Sequence, residues 1–98
     1  IEAMYEALTR DDIDGAMEFI ADDALFVTGP VLRGKAEIRD FLQGLADRDA
    51  RYEVIDLQVD GNEATWILRG TMDVKSFERT IQAETQDGVI IKLTGPWY

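Results

Sequence analysis

Residues 51–72, RYEVIDLQVDGNEATWILRGTM, decide the fold, because after Asp49 the period of the apolar residues drops from 3.6 to 2. Alternation at that period is the mark of a half-buried strand, whose successive side chains point to opposite faces. Ile55, Leu57 and Val59 share a face in the run 51–59, and Ala64, Trp66, Leu68 and Met72 share a face in the run 63–73. Asp60-Gly61-Asn62 breaks the two apart as a turn. A further run over 77–86 sets Phe77, Ile81 and Ala83 together, and 89–94 offers Val89, Ile91 and Leu93. Between these runs, Asp87-Gly88 is a tight-hairpin signal, since both central residues of that turn need positive φ. The tryptophan in the middle of this sheet raises a question of function: is it plain core, or the wall of a pocket?

Upstream of the switch, the period is helical. Ile1, Met4, Tyr5 and Leu8 form one stripe at i, i+3, i+4 and i+7. Asp11 or Asp12 can cap a second helix burying Ile13, Met17 and Ile20, which Gly15 weakens slightly. A short strand is expected at Leu25 to Thr28, stopped by Gly29-Pro30. A third helix follows "LRGK" and buries Ile38, Phe41, Leu42 and Leu45, with Glu37 in its first turn near the positive end of the dipole. Helices first and an antiparallel meander afterwards predict an α+β fold, with three N-terminal helices on one face of a curved sheet. Such a sheet closed on one side makes a cone whose wide end suits a small apolar ligand.

Composition narrows the functions. A chain of 98 residues is one domain, 1–98, large enough for its own core. It has no cysteine and no histidine, which removes disulfides, thiolate zinc sites, thiol nucleophiles and the commonest general base. The formal net charge of −10 repels phosphate backbones and anionic membranes, so neither nucleic acid nor membrane is an expected partner. No apolar run approaches the length of a membrane span. The first residues lack the pattern of a secretory leader, and a cytoplasmic location is expected. The apolar period is already under way at Ile1, as expected of a chain trimmed at its start.

Four stretches carry a resemblance: "YEALTRDDIDGAMEFIADDALF" (5–26), "LRGKAEIRDFL" (32–42), "NEATWILRGT" (62–71) and "QDGVIIKL" (86–93). In that order and spacing the chain resembles the nuclear-transport-factor-2-like superfamily, and within it the SnoaL-like polyketide-cyclase and ketosteroid-isomerase branch. The resemblance implies a conical α+β barrel with a hydrophobic pocket, often a homodimer packed through the outer sheet face. Its members include isomerases, cyclases, hydratases, epoxide hydrolases and binders, so the fold leaves the reaction open. Positions carried over one at a time do not match the known chemistries. Met4 stands where the isomerases place an oxyanion-donor tyrosine, with Tyr5 one residue on. Thr28 stands in place of their carboxylate base, Thr80 or Ile81 in place of their second acid, and Met72 where the cyclase-like branch often has a histidine.

The candidate ligand contacts are Tyr5, Phe26, Trp66, Met72, Phe77 and Arg79. Tyr5 can offer a hydroxyl to a ligand oxygen, or be a helix-stripe residue with its OH at the rim. Trp66 can stack on a ring, and Phe26, Phe77 and the adaptable thioether of Met72 can line the same wall. Arg79 shares parity with Phe77, Ile81 and Ala83, so alternation points it inward, where a ligand carboxylate would pair it; otherwise it snorkels to solvent. Arg69 and Asp73 lie on the opposite, outward parity, as a solvated or dimer-interface pair. Asp11-Asp12 and Asp22-Asp23 are caps and solvated turns, and no metal site or cofactor is expected. The expected function is binding of a small apolar or ring-containing ligand; an enzyme of the same fold, and an association module with a filled cone, are the alternatives.

Overall fold

The computed structural model describes residues 1–97. Helices α1 (Glu2–Thr9), α2 (Ile13–Met17) and α3 (Gly34–Asp47) accompany strands β1 (Ile20–Val27), β2 (Val31–Arg33), β3 (Arg51–Asp60), β4 (Glu63–Met72), β5 (Lys75–Gln86) and β6 (Val89–Thr94). The six strands form one sheet in the order β2-β1-β6-β5-β4-β3, in which only β1 and β6 run parallel. The three helices cover one face of this curved, mainly antiparallel sheet, which is the α+β cone the periodicity predicts. None of the helices is long and apolar enough to cross a membrane among the described residues.

Local chemistry explains most boundaries. α1 buries Met4, Tyr5, Ala7 and Leu8. Asp12 caps α2 by accepting from the Gly15 N–H at 3.0 Å, and a Cβ on Gly15 would meet that carboxylate at 2.3 Å. Gly15 therefore makes room for the cap, which offsets its cost in helix propensity. Asp87 (φ 54) and Gly88 (φ 84) form the expected two-residue hairpin, with Gln86 paired to Val89.

In β6 the buried residues are Ile90 and Leu93, not the alternate set Val89, Ile91 and Leu93, because the β5–β6 register shifts between Glu84 and Thr85. Two further expectations need correction. Ile20 does not belong to α2: it starts β1, which is longer than Leu25 to Thr28 because it joins β6 in a parallel pair, with the register shifting between Ile20 and Leu25. In β3 the face of Ile55, Leu57 and Val59 is broken by a register shift between Ile55 and Gln58, where Asp56 takes φ 52. The extra residue flips the alternation, so Tyr52, Val54 and Leu57 pack on the core while Ile55, opposite Ile67, falls on the other face; Val59 keeps the core-side parity opposite buried Ala64, yet near the strand end it is 66% exposed.

Arg69 does face outward, between Glu53 on β3 and Glu78 on β5, each at 3.6 Å. Asp73 instead pins the β4–β5 turn to the end of α3. Its N–H donates to the Arg48 carbonyl at 3.2 Å, and its carboxylate accepts from Arg48 Nε and Nη2 at 3.2 and 2.8 Å. Both side chains are about half exposed, so solvent screens the pair. Arg48→Ala should lower stability by about 0.5–1 kcal/mol, less at high salt. Urea denaturation at two ionic strengths checks this; an unchanged midpoint at low salt would mean the clamp contributes nothing.

Candidate binding site

β4 brings Ala64, Trp66, Leu68 and Met72 to the helix-facing side of the sheet, and all are buried. α1 lays Tyr5 over them from above, while β1 supplies Phe26 and α3 supplies Phe41. The space between is occupied by Trp97, which follows β6 and has no solvent exposure. Its ring centroid lies 5.1 Å from Tyr5, 5.8 Å from Tyr52, and 6.1 Å from both Phe26 and Phe41. Trp66 meets Tyr5 edge-on at 6.0 Å, and Tyr5 tilts against Tyr52 at 5.5 Å. Tilted and edge-on rings at these separations are the favourable arrangement for aromatic quadrupoles. The interior of the cone is thus an aromatic cluster.

Its polar atoms are less well served. Tyr5 Oη, Trp66 Nε1 and Trp97 Nε1 are all buried and have no hydrogen-bond partner among the described residues. Two of the three are indole N–H groups, which only donate, and the phenol donates as well. Burial pushes the Tyr5 phenol well above its ordinary range, and the nearby Trp66 indole N–H draws it down a little without reaching hydrogen-bond geometry. Burial also raises the Tyr52 phenol. A buried donor left unmatched costs about 1–3 kcal/mol. All three lie in one cluster of rings.

No acid or base is buried among the described residues; the one buried polar side chain other than the aromatic ones is Thr28. Its hydroxyl donates to the Pro30 carbonyl at 3.3 Å, so the position of the isomerase base carries a committed hydroxyl. Asp56 and Asp73 are exposed and Glu84 is half-buried. Among the described residues no cluster of acids converges as a metal site.

Two clefts open on the surface. A cleft of about 220 Å³ opens between α1 and β3, lined by Glu2, Glu6, Glu53 and Val54 with Tyr5 and Tyr52. A second, of about 210 Å³, is a polar depression on the outer sheet face around Glu63, Thr65, Gln82, Glu84 and Lys92. The centre of the cone is occupied by Trp97 and the rings packed against it.

Of the residues singled out from sequence, Tyr5, Phe26 and Trp66 come together, with Trp97 linking Phe26 to Tyr5, which meets Trp66. Phe77 is half-buried and joins through Tyr52, at 6.4 Å. Met72 is buried at the end of β4 beside the turn, opposite Lys75. Arg79 does not join them. It pairs across β4 with Leu68, yet its side chain is exposed, and its Nη1 donates to the neighbouring Glu78 carbonyl at 3.0 Å. The long stem lets the charge reach water from an inward parity. Trp97, Tyr52 and Phe41 were missed as site residues. Trp97 lies beyond the last periodic run, behind Gly95-Pro96, where alternation gives no direction for a side chain.

The family model for the SnoaL-like domain matches residues 1–92. No curated protein matches the chain. Among solved structures, a nuclear-transport-factor-2-like protein of unknown function from Cytophaga hutchinsonii superposes with a TM-score of 0.84 at 16% identity, over 94% of this chain and 80% of that one. A protein from Kribbella flavida, provisionally assigned as a ketosteroid isomerase, gives 0.84 at 19%, over 94% and 70%. One from Sinorhizobium meliloti, provisionally assigned as a polyketide cyclase, gives 0.83 at 23%, over 93% and 88%. At these identities the likeness is one of fold.

Proposed function

The chain belongs to the SnoaL-like domain family of the nuclear-transport-factor-2-like superfamily, and from that premise we propose that it binds a small ring-containing molecule in its aromatic interior. The observation that carries this reading is the set of unpartnered donors at Tyr5 Oη, Trp66 Nε1 and Trp97 Nε1 inside one ring cluster. Native proteins pair nearly all buried polar groups, so exceptions gathered in one place call for an explanation, and a bound acceptor supplies one. The absence of any buried acid or base among the described residues favours binding over proton-transfer chemistry. The cleft between α1 and β3 reaches Tyr5 and Tyr52 from solvent.

A second reading is favoured by the filling of the cone: a domain that acts through association, its pocket vestigial. The outer sheet face is the surface expected to pair two copies, and there it carries Glu53, Arg69 and Glu78. A thermal-shift screen of apolar ring compounds separates the readings. Binding predicts compounds that raise the melting temperature in proportion to the logarithm of their concentration. A screen with no such compound, joined to a dimer in sedimentation, would favour association.

Tyr5→Phe sharpens the test. Removing a hydroxyl that has no partner relieves a desolvation cost, so the free protein should keep its stability or gain up to about 1 kcal/mol. The same change should weaken any ring ligand that bears an acceptor oxygen. A loss of stability in urea denaturation would show that the hydroxyl already has a partner, and the argument from unmatched donors would fail.

A further inference from the structure

The outer face of the sheet carries a group of charges that the aromatic interior does not use. Ala64 and Ala83 are buried on the helix side, so their neighbours Glu63 and Thr65 on β4, and Gln82 and Glu84 on β5, point away from the helices. The register sets these residues in two rungs across the strands. Glu63 lies opposite Glu84, which lies opposite Lys92 on β6; Thr65 lies opposite Gln82, which lies opposite Thr94. Together they line the outer depression of about 210 Å³. From Glu63 to Arg69 along β4 is about 20 Å at the rise of a strand, which sets this depression apart from Glu53, Arg69 and Glu78.

The charges of the first rung are not arranged for stability. Carboxylates directly opposite each other on neighbouring strands repel. Lys92 stands beside Glu84, yet none of the ion pairs among the described residues includes Lys92, Glu63 or Glu84. The walls are held in place. The Asn62 carbonyl, next to Glu63, accepts from the Thr85 N–H at 2.8 Å and from the Thr85 hydroxyl at 3.4 Å. The β5–β6 register also shifts between Glu84 and Thr85, and such irregularities re-aim the side chains beside them. Two negative groups and one positive group thus face a space of amino-acid size without neutralising one another.

We propose that this depression binds a free α-amino acid with a polar side chain, in its zwitterionic form. The ligand ammonium lies between Glu63 and Glu84 and donates to both carboxylates, and the ligand carboxylate accepts from the Lys92 ammonium. From Glu63 to Lys92 is about 10 Å, two strand spacings, a width that one amino acid bridges with its two charges. The second rung lies about 7 Å further along the strands, where Thr65, Gln82 and Thr94 meet a hydroxyl or amide on the ligand side chain. The sheet separates this site from the aromatic interior, so the two readings stand or fall independently.

The probes are L-glutamine and L-serine, with L-glutaminamide lacking the carboxylate and N-acetyl-L-glutamine lacking the ammonium. In 15N–1H spectra of the intact chain, at least one of the two amino acids should shift the amide signals of residues 63–65, 82–84 and 92–94, while those of Tyr5 and Trp97 stay in place. Each analogue should bind at least about tenfold more weakly than L-glutamine, the loss of one charge-assisted contact. Lys92→Met should weaken L-glutamine by a similar factor. Glu63→Gln should move two measurements in opposite directions: L-glutamine binds about tenfold more weakly, and the urea midpoint of the free chain holds or rises as the repulsion with Glu84 is relieved. No shift with either amino acid at tens of millimolar, or shifts confined to other residues, would overturn the site. L-Glutaminamide binding as tightly as L-glutamine would overturn the part given to Lys92, and N-acetyl-L-glutamine doing so would overturn the part given to the carboxylate pair. A lower urea midpoint for Glu63→Gln would show that Glu63 is already neutralised in the free chain, and the argument from uncompensated charge would fail.

Discussion

Trp66→Ala should destabilise the folded chain by about 3–5 kcal/mol, the range for deleting a large buried aromatic side chain. Trp66 is 1% exposed at the middle of β4, opposite Ile81 on β5, with Tyr5 edge-on above it at 6.0 Å. Truncation removes the transfer free energy of the indole and leaves a void beneath Tyr5 that neighbouring strands cannot close. Domains of this size hold about 5–15 kcal/mol in all, so the variant should sit near the edge of folding. On sequence alone the same change would be a mild one, weakening a ligand while sparing the fold. The difference is burial: a pocket wall exposed to a cavity loses little, whereas a side chain enclosed on all sides loses its contacts outright. Trp66→Phe should retain most of the stability. Guanidinium denaturation followed by circular dichroism decides it, and a loss under about 1 kcal/mol would mean that Trp66 faces a cavity after all.

The sheet was legible from residue 63 to Glu84 because its rule is simple; the register then shifts between Glu84 and Thr85, and β6 buries Ile90 and Leu93 in place of the alternate set Val89, Ile91 and Leu93. Ala64, Trp66, Leu68 and Met72 alternate without a break, and Asp87-Gly88 declares its own turn. β3 obeys the same rule only until Asp56, an aspartate in left-handed backbone that no glycine signals. Asp11, Asp49, Asp73 and Asp87 adopt the same region, so every positive-φ position among the described residues that is not glycine is aspartate. Short polar side chains tolerate that conformation. The run of acids reads as charge in a sequence, and part of it is turn geometry. In the candidate site, Tyr5, Phe26 and Trp66 were found because each sits on an apolar stripe. Trp97 was not, since a residue past the last strand has no period to place it; the pivot at Gly95 does so, and that depends on a close approach to Thr80 and Ile81 across the chain. Arg79 shows the converse limit. Parity gives the direction of a Cβ, and a five-atom stem carries the charge elsewhere.

Alkaline solution should unfold this protein more steeply than its net charge alone would, with stability falling once the pH passes about 10, the ordinary phenol value. Tyr5 and Tyr52 both hold their protons above that value in the folded state, burial being the cause in each. Below pH 10 folded and unfolded chains are equally protonated at these two groups, which then add no slope. Above it the unfolded chain releases both phenolic protons while the folded chain keeps them, so ionisation draws the equilibrium toward unfolding. Each tyrosine contributes about 1.4 kcal/mol per pH unit until its own folded value is reached. Two such groups acting from pH 10 to 11 remove about 2 kcal/mol, since the unfolded phenols are only half ionised at the start of that interval, and this is a large share of a marginal fold. Other titrations and the self-repulsion of an acidic chain overlap this range, and a difference experiment isolates the tyrosines. Denaturation of the intact chain and of Tyr5→Phe at pH 8 to 11 should show equal slopes up to 10, then a shallower fall in the variant by about one tyrosine. The tyrosinate absorbance of two of the three tyrosines should rise together with the loss of native circular dichroism. Full ionisation near pH 10 with the native spectrum intact would mean that water already reaches the Tyr5 hydroxyl, and the enclosed donor cluster on which ligand binding depends would not exist.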